Sequence, residues 1–256
     1  MLHVFRYQVR DVVRSRWTLG FGLLLLLLTE ALFRTGGAAP QVLLSLSNVV
    51  LVLVPLVALV FGTVYLYGAR EFVELMLTQP VRRRDLFAGL FAGLALPLSG
   101  AFVLGVLLPF ALRAEASAAL FVLVGAGVAL TLICCAVALY LAVRFDDRVR
   151  GLGAALGVWL VFCLLYDGLL LLVATFFSAY PLETPLLMLT TLNPVDLARV
   201  LLLLRFDAAA LLGYTGVVFE RFFGTPLGML VSVAAMLFWI ALPLWRAAHR
   251  FARKDF

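Results

Sequence analysis

Residues 70–85, REFVELMLTQPVRRRD, are a polar, charge-dense break between two long apolar runs. The spacing predicts a short helix ended by Pro80, which lacks the amide a helix interior needs. Glu71, Glu74 and Thr78 are expected on one face, with Phe72, Leu75 and Met76 on the other. A short amphipathic helix held between two membrane spans has an apolar face and little of its own chain to cover it. The reading therefore assigns that face to a soluble docking partner.

The rest of the composition says what the flanking runs are. Hydrophobic residues make up 65% of the 256 positions and charged residues 13%, whereas soluble domains carry roughly 25% charged residues. Mean hydropathy is +1.13. The chain reads as one all-α integral membrane domain over residues 1–256, with room for six spans of ~20 residues each. A net charge of +6 would suit nucleic acid in a soluble protein. Here its placement is better explained by membrane topology, and no nucleic-acid partner is expected. The single lysine, Lys254, has no glycine-rich loop before it. A Walker phosphate loop needs its own lysine, so the chain is not itself an ATPase.

Residues 1–17 form an amphipathic pattern with Arg6, Arg10 and Arg14 in a stripe and Trp17 at the boundary. That pattern suits a helix lying on an anionic lipid surface. Spans are expected at 18–33, 42–67, 86–112, 116–143, 151–178 and 227–245. The outer segment 179–226 holds two apolar pieces, 186–192 and 195–204, separated by Asn193-Pro194 and carrying Asp196 and Arg199. Neither reaches spanning length. A charge at the bilayer centre costs at least ~2.5–3.5 kcal/mol, so these pieces are expected as re-entrant or interfacial helices between the fifth and sixth spans. With both termini inside, 15 of the 20 Lys and Arg residues fall on inner segments, as the positive-inside rule requires. The chain is thus expected to be multi-pass in a bacterial inner membrane, with residues 70–85 facing the cytoplasm.

Catalytic signatures are thin. No His-Glu-x-x-His, Gly-x-Ser-x-Gly or paired Cys-x-x-Cys occurs. Cys134, Cys135 and Cys163 lie within apolar runs and read as buried thiols, and no metal site is assigned. Tyr166-Asp167 and Glu30 are the intramembrane polar residues. Asp167 lacks a Gly-x-Gly-Asp counterpart, and its one candidate acidic partner within the spans is Glu30, so a shared-proton dyad is not expected. Gly89, Gly93, Gly100 and Gly105, with Pro97 and Pro109, predict close helix contact and kinking in the third span.

Arg70-Glu71 followed by Leu75-Met76-Leu77-Thr78-Gln79-Pro80-Val81-x-Arg83 resembles the cytoplasmic coupling loop of type-two ATP-binding-cassette (ABC) exporter permeases. Phe72-Val73-Glu74 departs from the Gly-Thr-Leu usual there, and Leu90 stands where lysine is common. Tyr166-Asp167, the run 192–199, 212–216 and the terminal Phe-Ala-Arg-Lys-Asp-Phe resemble the subgroup of these permeases that helps to mature nitrous-oxide reductase. The resemblance implies a homodimer, two copies of a cytoplasmic cassette ATPase carrying ATP and Mg, and a periplasmic β-helix protein acting in copper-site assembly. No cofactor is expected on this chain. It implies ATPase-coupling roles for Arg70, Glu71, Phe72, Glu74, Leu75, Met76, Pro80 and Arg83. It places partner or substrate contacts at Asn193, Pro194, Asp196, Arg199 and Tyr214. Without a ladder of Cys, Met or His across the membrane, the chain is not expected to conduct copper. A general drug, lipid or peptide exporter, an intramembrane enzyme using Asp167, and a passive scaffold stay open as alternatives.

Overall fold

The structure, a computed structural model, describes residues 15–35, 38–79, 82–176, 183–206, 219 and 222–253. The described residues of the expected N-terminal interfacial helix are 15–17, and there Ser15 already caps the first span by accepting from the Trp17 amide. That span, α1 (Arg16–Arg34), is followed by α2 (Ala39–Gly68), the short α3 (Arg70–Leu77), α4 (Arg83–Leu112) and α5 (Ala118–Arg144). The fifth span is composite. It runs through α6 (Arg148–Leu160), a π-helical turn (Val161–Leu165) and α7 (Tyr166–Phe176). Then come α8 (Glu183–Leu192), α9 (Pro194–Arg205) and α10 (Pro226–Arg253).

Among the described residues six helices are long and apolar enough to cross a membrane, as the hydropathy pattern predicts. Two boundaries move. The short helix expected to run up to Pro80 ends at Leu77, and the third span, expected from residue 86, opens at Arg83 and takes in Arg84 and Asp85. An acidic residue in the first turn suits the positive end of a helix, and Asp85 occupies that place in α4.

The central rod is α5, which packs against α2, α4, α6, α9 and α10. Sixty-one per cent of its apolar window is buried, against 6% in the fifth span. Cys134 and Cys135 lie on α5 and are buried, and Cys163 is buried in the π turn. Close packing in the third span is real but local. A Cβ on Gly105 would stand 2.8 Å from the Gly22 carbonyl and 2.9 Å from the Leu25 Cβ, so a bare backbone lets α4 press against α1. Gly100, expected in the same stripe, faces open space.

Pro55 lies inside α2 and has no amide to offer the carbonyl one turn back, at Leu51. The fifth span fills that gap. The Cys163 thiol reaches the Leu51 carbonyl at 3.7 Å, and the Trp159 indole donates to the Val52 carbonyl at 3.0 Å. The Pro55 turn of α2 and the π turn therefore face each other.

Candidate functional site

Two places gather the polar residues singled out in the sequence, one at each end of the bundle. At the first, α3 lies across the converging ends of α2, α4, α5 and α10. Val73 is buried (1% exposed), and Phe72, Met76 and Leu77 pack beside it on a cluster that includes Leu66, Phe87, Leu139, Val143 and Phe251. Leu75 is instead 65% exposed. This corrects the expected grouping of Phe72, Leu75 and Met76. At 100° per residue, Phe72, Met76, Val73 and Leu77 fill one arc of about 140°. Glu74, Thr78, Glu71 and Leu75 fill the rest, and these four are exposed. The outward face thus carries Leu75 at one edge, with Glu71, Thr78 and Glu74 following on the same side.

Both borders of α3 are braced. The Arg70 Nη2 lies 3.2 Å from Asp146 Oδ1, and its guanidinium stands 5.3 Å from the Tyr67 ring centroid. The Tyr67 hydroxyl donates to the Phe145 carbonyl at 2.8 Å, with the Asp147 carbonyl at 3.2 Å. Gly151 makes room for this tyrosine, because a Cβ there would collide with its hydroxyl and ring. Just beyond α3, Arg83 Nη1 donates to the Ala252 carbonyl at 3.2 Å, joining the start of α4 to the end of α10. Tyr67, Asp146 and Gly151 were not singled out from the sequence. Tyr67 and its acceptor Phe145 are 78 residues apart, with no local pattern linking them. Pro80 lies outside the described residues.

At the opposite end α8 and α9 form a hairpin bent by 113° at Asn193. Its tip enters the bundle. Asn193 through Ala198 are all buried, and the tip touches Phe162, which lies in the middle of the fifth span rather than at its end. The pair thus has the geometry of a broken span or a re-entrant loop. Asn193 makes this possible by satisfying three groups. Its Oδ1 accepts the Val195 amide (3.0 Å), capping α9, while Nδ2 donates to the Phe162 carbonyl (2.8 Å) and to Asp196 Oδ2 (2.9 Å). Phe162 belongs to the π turn, the kind of local widening where a side chain from elsewhere can insert into the helix ladder. One helical turn on, the Tyr166 hydroxyl donates to the Leu189 carbonyl at 2.6 Å.

Charge completes the joint. Arg199 Nη1 binds Asp196 Oδ1 at 3.0 Å and also Asp167 Oδ1. The Asp196 side chain is 3% exposed, Arg199 25% and Asp167 39%. The expectation that Asp167 has Glu30 as its one candidate acidic partner is corrected. Asp196 shares its arginine, because the bent hairpin brings residue 196 beside residue 167. Glu30 belongs to a different junction. Arg113 Nη2 holds both of its carboxylate oxygens at 2.8 Å, and Arg34 adds a bond at 3.1 Å, tying α1 to the end of α4. Among the described residues no three His, Cys, Asp or Glu side chains gather as metal ligands. Tyr214 lies outside the described residues.

Comparison with known proteins gives a single answer over nearly the whole chain. Residues 2–256 match the family model described as ABC-2 family transporter protein. A probable ABC transporter permease protein NosY of Pseudomonas aeruginosa is 32% identical over 265 residues, covering 96% of this chain and 93% of that protein. A protein of the same description from Stutzerimonas stutzeri is 30% identical over 269 residues, covering 95% and 92%.

Proposed function

This chain belongs to the ABC-2 transporter family as a multi-pass permease subunit, and from that premise we propose that α3 is where a separate cassette ATPase drives it. The observation that carries the reading is the seating of α3. Its inner arc rests on a cluster fed by four spans, and its outer arc presents Leu75 at one edge beside Glu71, Thr78 and Glu74. A docked subunit grips that outer arc, and a push on it reaches every span end beneath.

In this reading two copies of the chain pair in the bacterial inner membrane, with both termini and α3 cytoplasmic. Each copy docks one ATPase, which holds the ATP and Mg. Displacement of α3 moves α2, whose turn before Pro55 meets the π turn of the fifth span, and the π turn holds the hairpin through Asn193. The hairpin end then acts on a periplasmic partner. The NosY description of the two relatives supports placing that action in copper-site assembly of nitrous-oxide reductase, with a β-helix protein as the partner. Asp167 serves as a charge anchor for the hairpin rather than as a catalytic acid.

Co-purification with the cognate ATPase tests the docking surface. Leu75→Asp places a charge on the outer arc and is expected to abolish co-purification and chain-dependent ATP hydrolysis while membrane insertion stays normal. Val73→Asp puts the same charge on the inner arc and is expected to lower the folded yield. Retention of the ATPase by a well-inserted Leu75→Asp chain would refute the reading.

A further inference from the structure

A cavity of about 600 Å³ opens between α5, α6 and α10 at the α3 end of the bundle. Its wall is apolar, built from residues such as Val158, Phe162, Trp239 and Pro243, and Arg246 is its one charged lining residue. Pro243 lies inside α10 at this level. From Trp239 to Arg246 the slot runs about 10 Å along the helix, well within one leaflet of a ~30 Å hydrocarbon core. Trp245, 65% exposed and stacked on His249, stands next to Arg246, where aromatic residues mark the membrane–water boundary.

Arg250 lies one turn beyond Arg246, with its guanidinium 5.4 Å from the ring centroid of Tyr140, itself a lining residue. Both arginines are exposed. No ion pair joins either to a carboxylate among the described residues. A greasy slot of this depth, open to the side and ended by two cations at headgroup level, matches an amphiphile with an anionic head. We propose that this cavity binds one anionic phospholipid, its acyl chain lying against Val158 and Trp239 and its phosphate held by Arg246 and Arg250. Basic pockets between spans recognise headgroups through the same chemistry. The inference needs the chain to lie in a membrane and is independent of any partner or cargo.

Gly157 gives a clean test. It lines the slot, and a Cβ there would meet nothing within 4 Å, so Gly157→Leu starts its side chain in open space and narrows the slot. Native mass spectrometry of the purified full chain, with phosphatidylglycerol or phosphatidylcholine of identical acyl chains added, reads binding directly. One phosphatidylglycerol per chain is expected, held in preference to phosphatidylcholine. Arg246→Ala and Arg250→Ala should each weaken it roughly fivefold, and Gly157→Leu should remove it with both arginines in place. Three results would overturn the proposal. The first is equal retention of the two lipids. The second is displacement of the lipid by millimolar inorganic phosphate together with no effect of Gly157→Leu, which would mean a simple anion site. The third is a Gly157→Leu chain that changes oligomeric state while keeping its lipid, which would mean that a second copy covers the slot.

Discussion

Removing the Arg199 guanidinium should open the hairpin, whereas neutralising Asp167 should not. In Arg199→Met, Asp196 keeps a carboxylate that is 3% exposed, with the Asn193 amide as its remaining side-chain donor. Stripping one partner from a buried ion pair costs about 3–5 kcal/mol. Asp167→Asn leaves the Arg199–Asp196 pair intact and removes a charge on a side chain that is 39% exposed, so its cost belongs with screened pairs at about 0–1 kcal/mol. The double variant Asp196→Asn with Arg199→Met deletes both buried charges and should recover most of the loss. A reporter is available at the bend, since Val195 is fully buried and Cys134, Cys135 and Cys163 are buried as well. With Val195→Cys as background, the rate of thiol labelling in nanodiscs measures hairpin opening. Arg199→Met should raise it about a hundredfold, the equivalent of about 3 kcal/mol, while Asp167→Asn should leave it within about fivefold. Equal effects of the two single variants, or a double variant that opens further than Arg199→Met alone, would refute the charge accounting. Loss of activity in Asp167→Asn with the hairpin closed would point instead to a chemical role for that carboxylate.

Two further outcomes follow from close contacts. Gly105→Val should force α1 and α4 apart and destabilise the chain by about 1–3 kcal/mol, read as a lower thermal midpoint, with Gly100→Val a near-neutral control on the same helix. Gly151→Ala should be more damaging than Tyr67→Phe, which loses one hydrogen bond worth about 1 kcal/mol. Because the alanine methyl collides with the tyrosine itself, Tyr67→Ala combined with Gly151→Ala should cost less than the two single losses added together.

Much of this architecture can be read along the chain. A span declares itself by an unbroken apolar run, so hydropathy alone locates the six long helices. Pro194 after Asn193 marks the break between two pieces too short to cross. The short helix at Arg70 is legible as well, since its charges and its two spanning neighbours are contiguous in sequence. What failed at α3 was the face. Leu75 and Phe72 sit only about 60° apart on the helix, so composition groups them, and only the direction of the neighbouring cluster separates them. Val73 was passed over for the same reason, although it lies inside the buried arc between Met76 and Leu77.

Sequence by itself therefore determined an all-helical membrane chain with six spans, a charged amphipathic break after the second and a broken polar segment before the last. These are local properties, set by the solvent each stretch of backbone can tolerate. Tertiary structure decided which side of α3 is free, that the Asn193 tip reaches the middle of the fifth span, and that Asp167 shares Arg199 with Asp196. Those facts depend on groups 31 residues apart at Asn193–Phe162, 32 at Arg199–Asp167 and far more between Val73 and Phe251 meeting in space, and no periodicity encodes such meetings. One is a side-chain amide reaching a backbone carbonyl in the π turn, one an ion pair, and one the apolar packing beneath α3.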